Sequence, residues 1–200
     1  MVAGGEVTLQ GSVTLDESLN STKDLTVNLN GKTVKCDKSD VFVVTAGHLI
    51  LDGEGEVLAS TDNSNSACAV WAKENGNVTI KGGTYKVGDD ETGKPDNWRN
   101  DCIYARDNAT ITIEGGTFQY TGENPLGHKF LLNVRDADKT TAEIVVKGGK
   151  FFNFNPAATA SENPIANFVA VGYKVINLTT NEVATDVHSG NDTWYEVVPE

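Results

Sequence analysis

The sequence predicts an all-β protein, a right-handed parallel β-helix (solenoid) of about seven coils closed by a C-terminal β segment. Three observations predict it. Short segments alternate apolar with polar residues, which is the period of a strand with one buried face. These segments recur with a Gly-Gly pair at a fixed offset. Val, Ile and Thr dominate the apolar runs and favour strands over helices.

The clearest repeat has the pattern apolar-x-apolar-x-Gly-Gly-x-aromatic. Its three best copies are Asn77–Tyr85, Ala109–Phe118 and Glu143–Phe151, with looser copies at Leu25–Gly31 and His48–Gly55. The first glycines lie at 31, 53, 82, 115 and 148, so the spacings are 22, 29, 33 and 33 residues. Repeats of this length without helical periodicity are typical of stacked β-coils.

A second strand precedes each later glycine strand, after which a short polar corner follows. These strands are Val41–Val44, Ala67–Trp71, Asp101–Ala105 and Phe130–Val134. The Gly-Gly pair is expected at a corner where one residue adopts a positive φ and a side chain would collide with the neighbouring coil. An antiparallel sandwich is the competing architecture, but the fixed order of corner, strand and Gly-Gly favours the solenoid.

The cysteines allow two interpretations. Cys68 and Cys102 occupy nearly the same position on neighbouring coils, counted back from the glycine pairs. They are either reduced core thiols, at positions that require a small apolar side chain, or partners in a disulfide between coils. The third cysteine, Cys36, has no Cys-x-x-Cys or Cys/His neighbour, which argues against a zinc site.

Charge excludes several classes of partner. The 200 residues carry 28 acidic and 16 basic side chains, a net charge of −12. Such a chain lacks the basic patch that binding to nucleic acid or anionic lipid requires. No apolar run reaches the length of a membrane span, so no membrane insertion is expected. The N-terminal Met1–Glu6 shows no secretory leader.

Two insertions, at residues 86–100 and 119–129, leave from equivalent corners of neighbouring coils and are expected to lie side by side. Trp98 beside Arg99 is the most binding-like feature, because an indole buries much area at a low entropic cost. The predicted binding surface consists of Asp96, Trp98, Arg99, Tyr120 and His128. The alternative is that Trp98 covers the hydrophobic edge of a coil.

The first insertion also contains the acidic run Asp89, Asp90 and Glu91. It could supply oxygen ligands to Ca²⁺, but it lacks the spacing of known calcium loops, so a solvated acidic loop is the favoured interpretation. The outward positions of the glycine strands mix threonine with charges of both signs. No catalytic motif is present, and we expect neither an enzyme nor a cofactor.

The repeat ends near residue 154, which divides the chain into a predicted β-helix at 1–154 and a C-terminal segment at 155–200. Two strands at Phe168–Ile176 and Thr193–Val198 can pair as a hairpin. An open solenoid end must be covered, so this segment is expected to cap the core. Its predicted anchors, which could alternatively form a trimer interface or docking tail, are Phe168, Tyr173, Trp194 and Tyr195.

The opening Gly5–Leu9, the stretch Lys23–Val34 and the Thr-Ile-x-Gly-Gly-Thr-Phe repeats resemble pectate-lyase-like right-handed β-helix proteins, as does the ending. Such domains occur in surface proteins of gut bacteria and in head fibre and capsid decoration proteins of bacteriophages. The resemblance covers nearly the whole chain and is more specific for fold than for function. No catalytic motif of the lyases matches these residues.

The resemblance and the lack of a visible leader together favour a non-enzymatic virion structural protein on the particle surface. Its expected partners are capsid or other virion proteins, a host surface glycan, and further copies of itself, with a trimer favoured. A bacterial cell-surface adhesin is the second hypothesis. A polysaccharide lyase or hydrolase is the third.

Overall fold

The computed structural model describes residues 4–60, 67–88, 100–121, 130–159, 161–187 and 192–200. Within these ranges the chain is all β and contains no α-helix, only a 3₁₀ turn at Asp136–Asp138. Nearly every strand is three to six residues long, as the short alternating segments of the sequence predict.

The strands are, in chain order, β1 (Gly5–Thr8), β2 (Val13–Leu15), β3 (Leu19–Ser21), β4 (Leu25–Asn28), β5 (Lys32–Cys36), β6 (Phe42–Val44), β7 (His48–Asp52), β8 (Gly55–Leu58), β9 (Cys68–Ala72), β10 (Asn77–Ile80), β11 (Thr84–Val87), β12 (Asp101–Ala105), β13 (Thr110–Ile113), β14 (Thr117–Tyr120), β15 (Leu132–Val134), β16 (Glu143–Val146), β17 (Lys150–Phe152), β18 (Tyr173–Asn177), β19 (Glu182–Val183) and β20 (Trp194–Pro199).

The strands form three sheets, and every third strand of the first seventeen joins the same sheet. Sheet A has the order β1-β4-β7-β10-β13-β16, and sheet C has the order β15-β12-β9-β6-β3. Sheet B begins with β2-β5-β8-β11-β14-β17 and continues into β20, β18 and β19. All pairings among the first seventeen strands are parallel, so the prediction of parallel sheets is confirmed and the antiparallel sandwich is wrong.

Alternating side chains of the strands form the core. The strands β11, β13 and β14 each alternate partly buried with buried residues, as one buried face requires. At the centre, Tyr85, Phe118 and Phe151 are in register on β11, β14 and β17 and are fully buried. Their rings stack with centroid distances of 5.2 Å and 4.9 Å. This stack ties three consecutive repeats together.

The Gly-Gly corners between sheets A and B confirm the role predicted for the two glycines. The second glycine has a positive φ, which is +102° at Gly116 and +103° at Gly149. The first glycine lies against the strand end of the preceding repeat. A Cβ on Gly148 would stand 2.2 Å from the carbonyl oxygen of Glu114, and one on Gly115 would stand 2.4 Å from that of Lys81. Neither contact is tolerable, so glycine is required there.

The C-terminal segment extends sheet B with antiparallel strands. The predicted pairing is present, since β18 pairs with β20, and β20 in turn pairs antiparallel with β17. Tyr195 is fully buried in the core, and Phe168 and Tyr173 pack against it. Trp194 contacts the ring of Phe152 at 5.0 Å. The four predicted anchors thus all make apolar contacts at this end of the molecule.

The last strand of sheet C is completed by a side chain. Glu162 is 5 % exposed, and its Oε1 accepts a hydrogen bond of 2.9 Å from the amide of Val134. The Lys139 ammonium lies 3.1 Å from the other carboxylate oxygen. The carboxylate therefore takes the place that a further strand would occupy, and the cation balances its charge.

Candidate functional site

The outer face of sheet C carries one outward side chain per strand in a single register column. Trp71 on β9 and Tyr104 on β12 are Cα partners and are partly exposed, whereas the residues on either side of each are fully buried. The column, from β3 to β15, consists of Asn20, Val43, Trp71, Tyr104 and Asn133. Because the partners belong to a parallel sheet, the two aromatic rings are held side by side.

Trp71 and Tyr104, called the aromatic pair below, offer ring surface together with polar atoms. Their centroids are 6.2 Å apart and their planes are inclined by 32°. The indole Nε1 of Trp71 is buried and has no hydrogen-bond partner within the described ranges. Burial, and then the nearby Asp101 carboxylate, raise the pKa of Tyr104 to about 12, so its hydroxyl stays protonated at neutral pH.

Two cations lie over the indole. The Lys73 Nζ is 4.3 Å from the Trp71 ring centroid, and the Arg106 guanidinium carbon is 5.6 Å from it. Both residues follow the ends of their strands at the same polar corner, where the amide of Arg106 donates to the carbonyl of Ala72 at 3.1 Å. The repeat thus places a cation beside each aromatic residue, within cation–π distance of the indole.

A hydrogen-bonded network holds this corner in place. Asp107 accepts from the Glu74 amide at 3.1 Å and from Arg135 Nη2 at 2.8 Å, and it also accepts from Arg106 Nε. Asp138 accepts from the Asp107 amide at 2.8 Å and from Arg135. The amide of Glu74 is the main reason why the pKa of Asp107 is lowered, and the hydrogen bond from Arg135 lowers the pKa of Asp138. Both carboxylates are therefore ionised and fully engaged within the protein.

On the other side of the pair, Asn133 Nδ2 donates to Asp101 Oδ1 at 3.0 Å. Asp40 accepts from the amide of Cys68 at 2.7 Å, and burial raises the pKa of this carboxyl group. Burial also raises the pKa of the Cys68 and Cys102 thiols, which makes them poor nucleophiles at neutral pH.

All three cysteines are buried and unbridged, as the interpretation of reduced core thiols predicts, and the disulfide interpretation is wrong. Their stacking needs a small correction. The Cα partner of Cys68 is Asp101, so Cys102 lies one residue out of register with Cys68. The count from the glycine pairs misses this offset because the segment between the cysteine and the glycines differs by one residue between the two repeats.

Of the residues predicted to form a binding surface, Tyr120 requires a correction. It is 4 % exposed, and its hydroxyl donates to the carbonyl of Asn100 at 2.7 Å. Tyr120 therefore closes the core under the first insertion and does not present its ring to a ligand. The other predicted residues lie outside the described residues. They are Asp96, Trp98, Arg99 and His128, together with the calcium candidates Asp89, Asp90 and Glu91.

Sequence reasoning missed the aromatic pair, although a signal for it exists. Trp71 and Tyr104 each lie 11 residues before the first glycine of their repeat, Gly82 and Gly115. Equal offsets in a coiled repeat place both side chains in one outward column. Alignment of the preceding strands, in addition to the glycine strands, would have found them.

Other parts of the described surface offer less chemistry. A hollow of about 600 Å³ follows the glycine corners, but glycine backbone forms much of its lining, for example at Gly83 and Gly116. Among the described residues, no group of three His, Cys, Asp or Glu side chains could hold a metal ion. No helix in this part of the chain is long and apolar enough to cross a membrane.

Comparisons with known proteins leave the site as the main guide to function. No protein-family model matches the chain, and neither the curated proteins nor the solved structures contain a significant match. The functional argument therefore depends on the geometry of the aromatic pair.

Proposed function

We propose that the three sheets are the faces of a right-handed parallel β-helix. The strand order supports this architecture, because the chain visits sheets A, B and C in turn and then returns to sheet A. Parallel strands joined by a crossover are almost always right-handed. The six strands of sheet A correspond to six coils, so the proposed solenoid is one coil shorter than the sequence suggests, and β18–β20 cover its end.

On this scaffold the proposed function is glycan binding by a non-enzymatic structural protein. The aromatic pair is the observation that carries the proposal, because it presents two rings on adjacent rungs of a rigid sheet. Sugar rings bind to aromatic faces through their C–H surface, and nearby donors bond to their hydroxyl groups. Lys73, Arg106 and Asn133 surround the pair with planar or cationic polar groups. Weak contacts of this kind gain strength when many copies are displayed together.

We place the protein on the surface of a phage particle, as a head fibre or capsid decoration protein that assembles as a homo-oligomer, with a trimer favoured. This location is supported only by the resemblance of the repeats to such proteins. Mass spectrometry of purified particles tests it directly. Peptides of this chain are expected in the particles, whereas their recovery only from a bacterial cell-surface fraction would favour the adhesin hypothesis.

Replacing Trp71 or Tyr104 by alanine is expected to weaken glycan binding at least about tenfold, because each change removes a ring worth about 1–2 kcal/mol of contact. A glycan microarray first identifies ligands of the wild-type protein, and calorimetry then measures their dissociation constants for each variant. Trp71→Phe and Tyr104→Phe keep an aromatic ring and are the matched controls. They are expected to retain most of the affinity.

Two results would contradict the proposed function. The first is the absence of any bound glycan when the protein is displayed at high density. The second is unchanged affinity in both alanine variants when circular dichroism shows that they are folded.

A further inference from the structure

Within the described part of the chain, the polar atoms of the site that have no protein partner are nearly all hydrogen-bond donors. The indole Nε1–H of Trp71 can only donate. The ammonium of Lys73 forms no ion pair with the described residues, and it lies over the indole ring. Arg106 directs its Nε towards Asp107, so its two terminal nitrogens still have N–H groups to offer.

The acceptors near the pair are already engaged. Asp107 and Asp138 accept from backbone amides and from arginines, Asp40 accepts from the amide of Cys68, and Asp101 accepts from Asn133. A ligand at this site therefore meets donors and has to supply acceptors. Carboxylate and sulfate oxygens accept more strongly than sugar hydroxyls.

The position of the cations points the same way. Lys73 and Arg106 already lie over the indole, so a neutral sugar that stacks on this ring has to displace a cation–π contact. An anionic ligand can bind the cations where they are. The net charge of −12 opposes such a ligand at long range, but at physiological salt charges more than about 8 Å away are largely screened.

We propose that the ligand of the aromatic pair is an acidic glycan, whose carboxylate or sulfate binds between Lys73 and Arg106 while a sugar ring contacts Tyr104. The proposal rests on the proposed glycan-binding function and specifies its ligand class. Lys73 is the residue that selects for the anion. Arg106 is held by Asp107 and supplies its terminal N–H groups to the same anion.

The experiment uses the full chain and immobilised glycans in matched pairs that differ by one sialic acid or one sulfate. Acidic members are expected to bind about tenfold or more tightly than their neutral counterparts, as one charge-assisted hydrogen bond allows. Lys73→Gln is expected to remove most of this preference. Lys81→Gln makes the same change in net charge at an exposed position after β10 of sheet A, and it is expected to have no effect.

The outcomes separate the two proposals. Binding of neutral members that equals that of acidic ones, and that still requires Trp71, would overturn the acidic ligand and keep the glycan-binding function. Full retention of the preference in Lys73→Gln would likewise overturn the acidic ligand alone. No binding to any member would overturn both.

Discussion

Phe118→Ala is expected to lower the free energy of unfolding by about 3–5 kcal/mol, the range for truncation of a fully buried phenylalanine. Phe118 is 0 % exposed and stacks between Tyr85 and Phe151, at 5.2 Å and 4.9 Å. The change leaves a cavity in the middle of the stack and removes two ring contacts. Because the sheets above and below are fixed by their hydrogen bonds, the cavity cannot collapse easily. Urea unfolding followed by circular dichroism measures the loss.

Phe118→Leu is the matched control for this prediction. It keeps an apolar side chain of similar reach but removes the stacked ring, and we expect it to cost clearly less than alanine. If alanine and leucine both cost under about 1 kcal/mol, the aromatic stack does not support the core as described.

Gly148→Ala is expected to destabilise the protein by about 3 kcal/mol, at the upper end of the cost of overpacking. The new Cβ would stand 2.2 Å from the carbonyl oxygen and 2.9 Å from the carbonyl carbon of Glu114. Both are backbone atoms of the preceding repeat, so relief requires separation of two coils at the corner. The midpoint of urea unfolding, compared with wild type, reports the effect.

Gly11→Ala is the control for the glycine corner. A Cβ at Gly11 meets nothing within 4 Å, and we expect a change of no more than about 0.5 kcal/mol. Similar losses at Gly11 and Gly148 would mean that the cost reflects a general property of glycine and not the close approach of the coils.

The repeat made much of the architecture predictable. Val, Ile and aromatic residues recur at a period of two, and this pattern correctly predicts which side chains of β11, β13 and β14 are buried. The Gly-Gly pairs were recognisable because both of their physical requirements, a positive φ at Gly116 and a close approach at Gly115, exclude other residues. Local chemistry thus determines each corner, and stacking follows from the repeat of corners.

The candidate site was harder to predict because it depends on which face of a sheet a residue occupies. Tyr120, next to an insertion, is typical of an exposed binding residue by sequence but is buried by its register with Val87 on β11. Trp71 and Tyr104 lie within apolar strands, where the simplest interpretation is burial. Two consecutive buried residues precede each of them, and this irregularity of the strands is not visible in an apolar pattern.

Fluorescence of single-tryptophan variants tests the aromatic pair most directly, because the chain has only three tryptophans, at 71, 98 and 194. One variant keeps Trp71 alone and the other keeps Trp98 alone, with phenylalanine at the remaining positions. Titration with a glycan that the wild-type protein binds is expected to change the emission of Trp71 saturably, at the dissociation constant measured by calorimetry, and to leave Trp98 unaffected. A saturable change at Trp98 with none at Trp71 would contradict the assignment and move the binding surface to the first insertion.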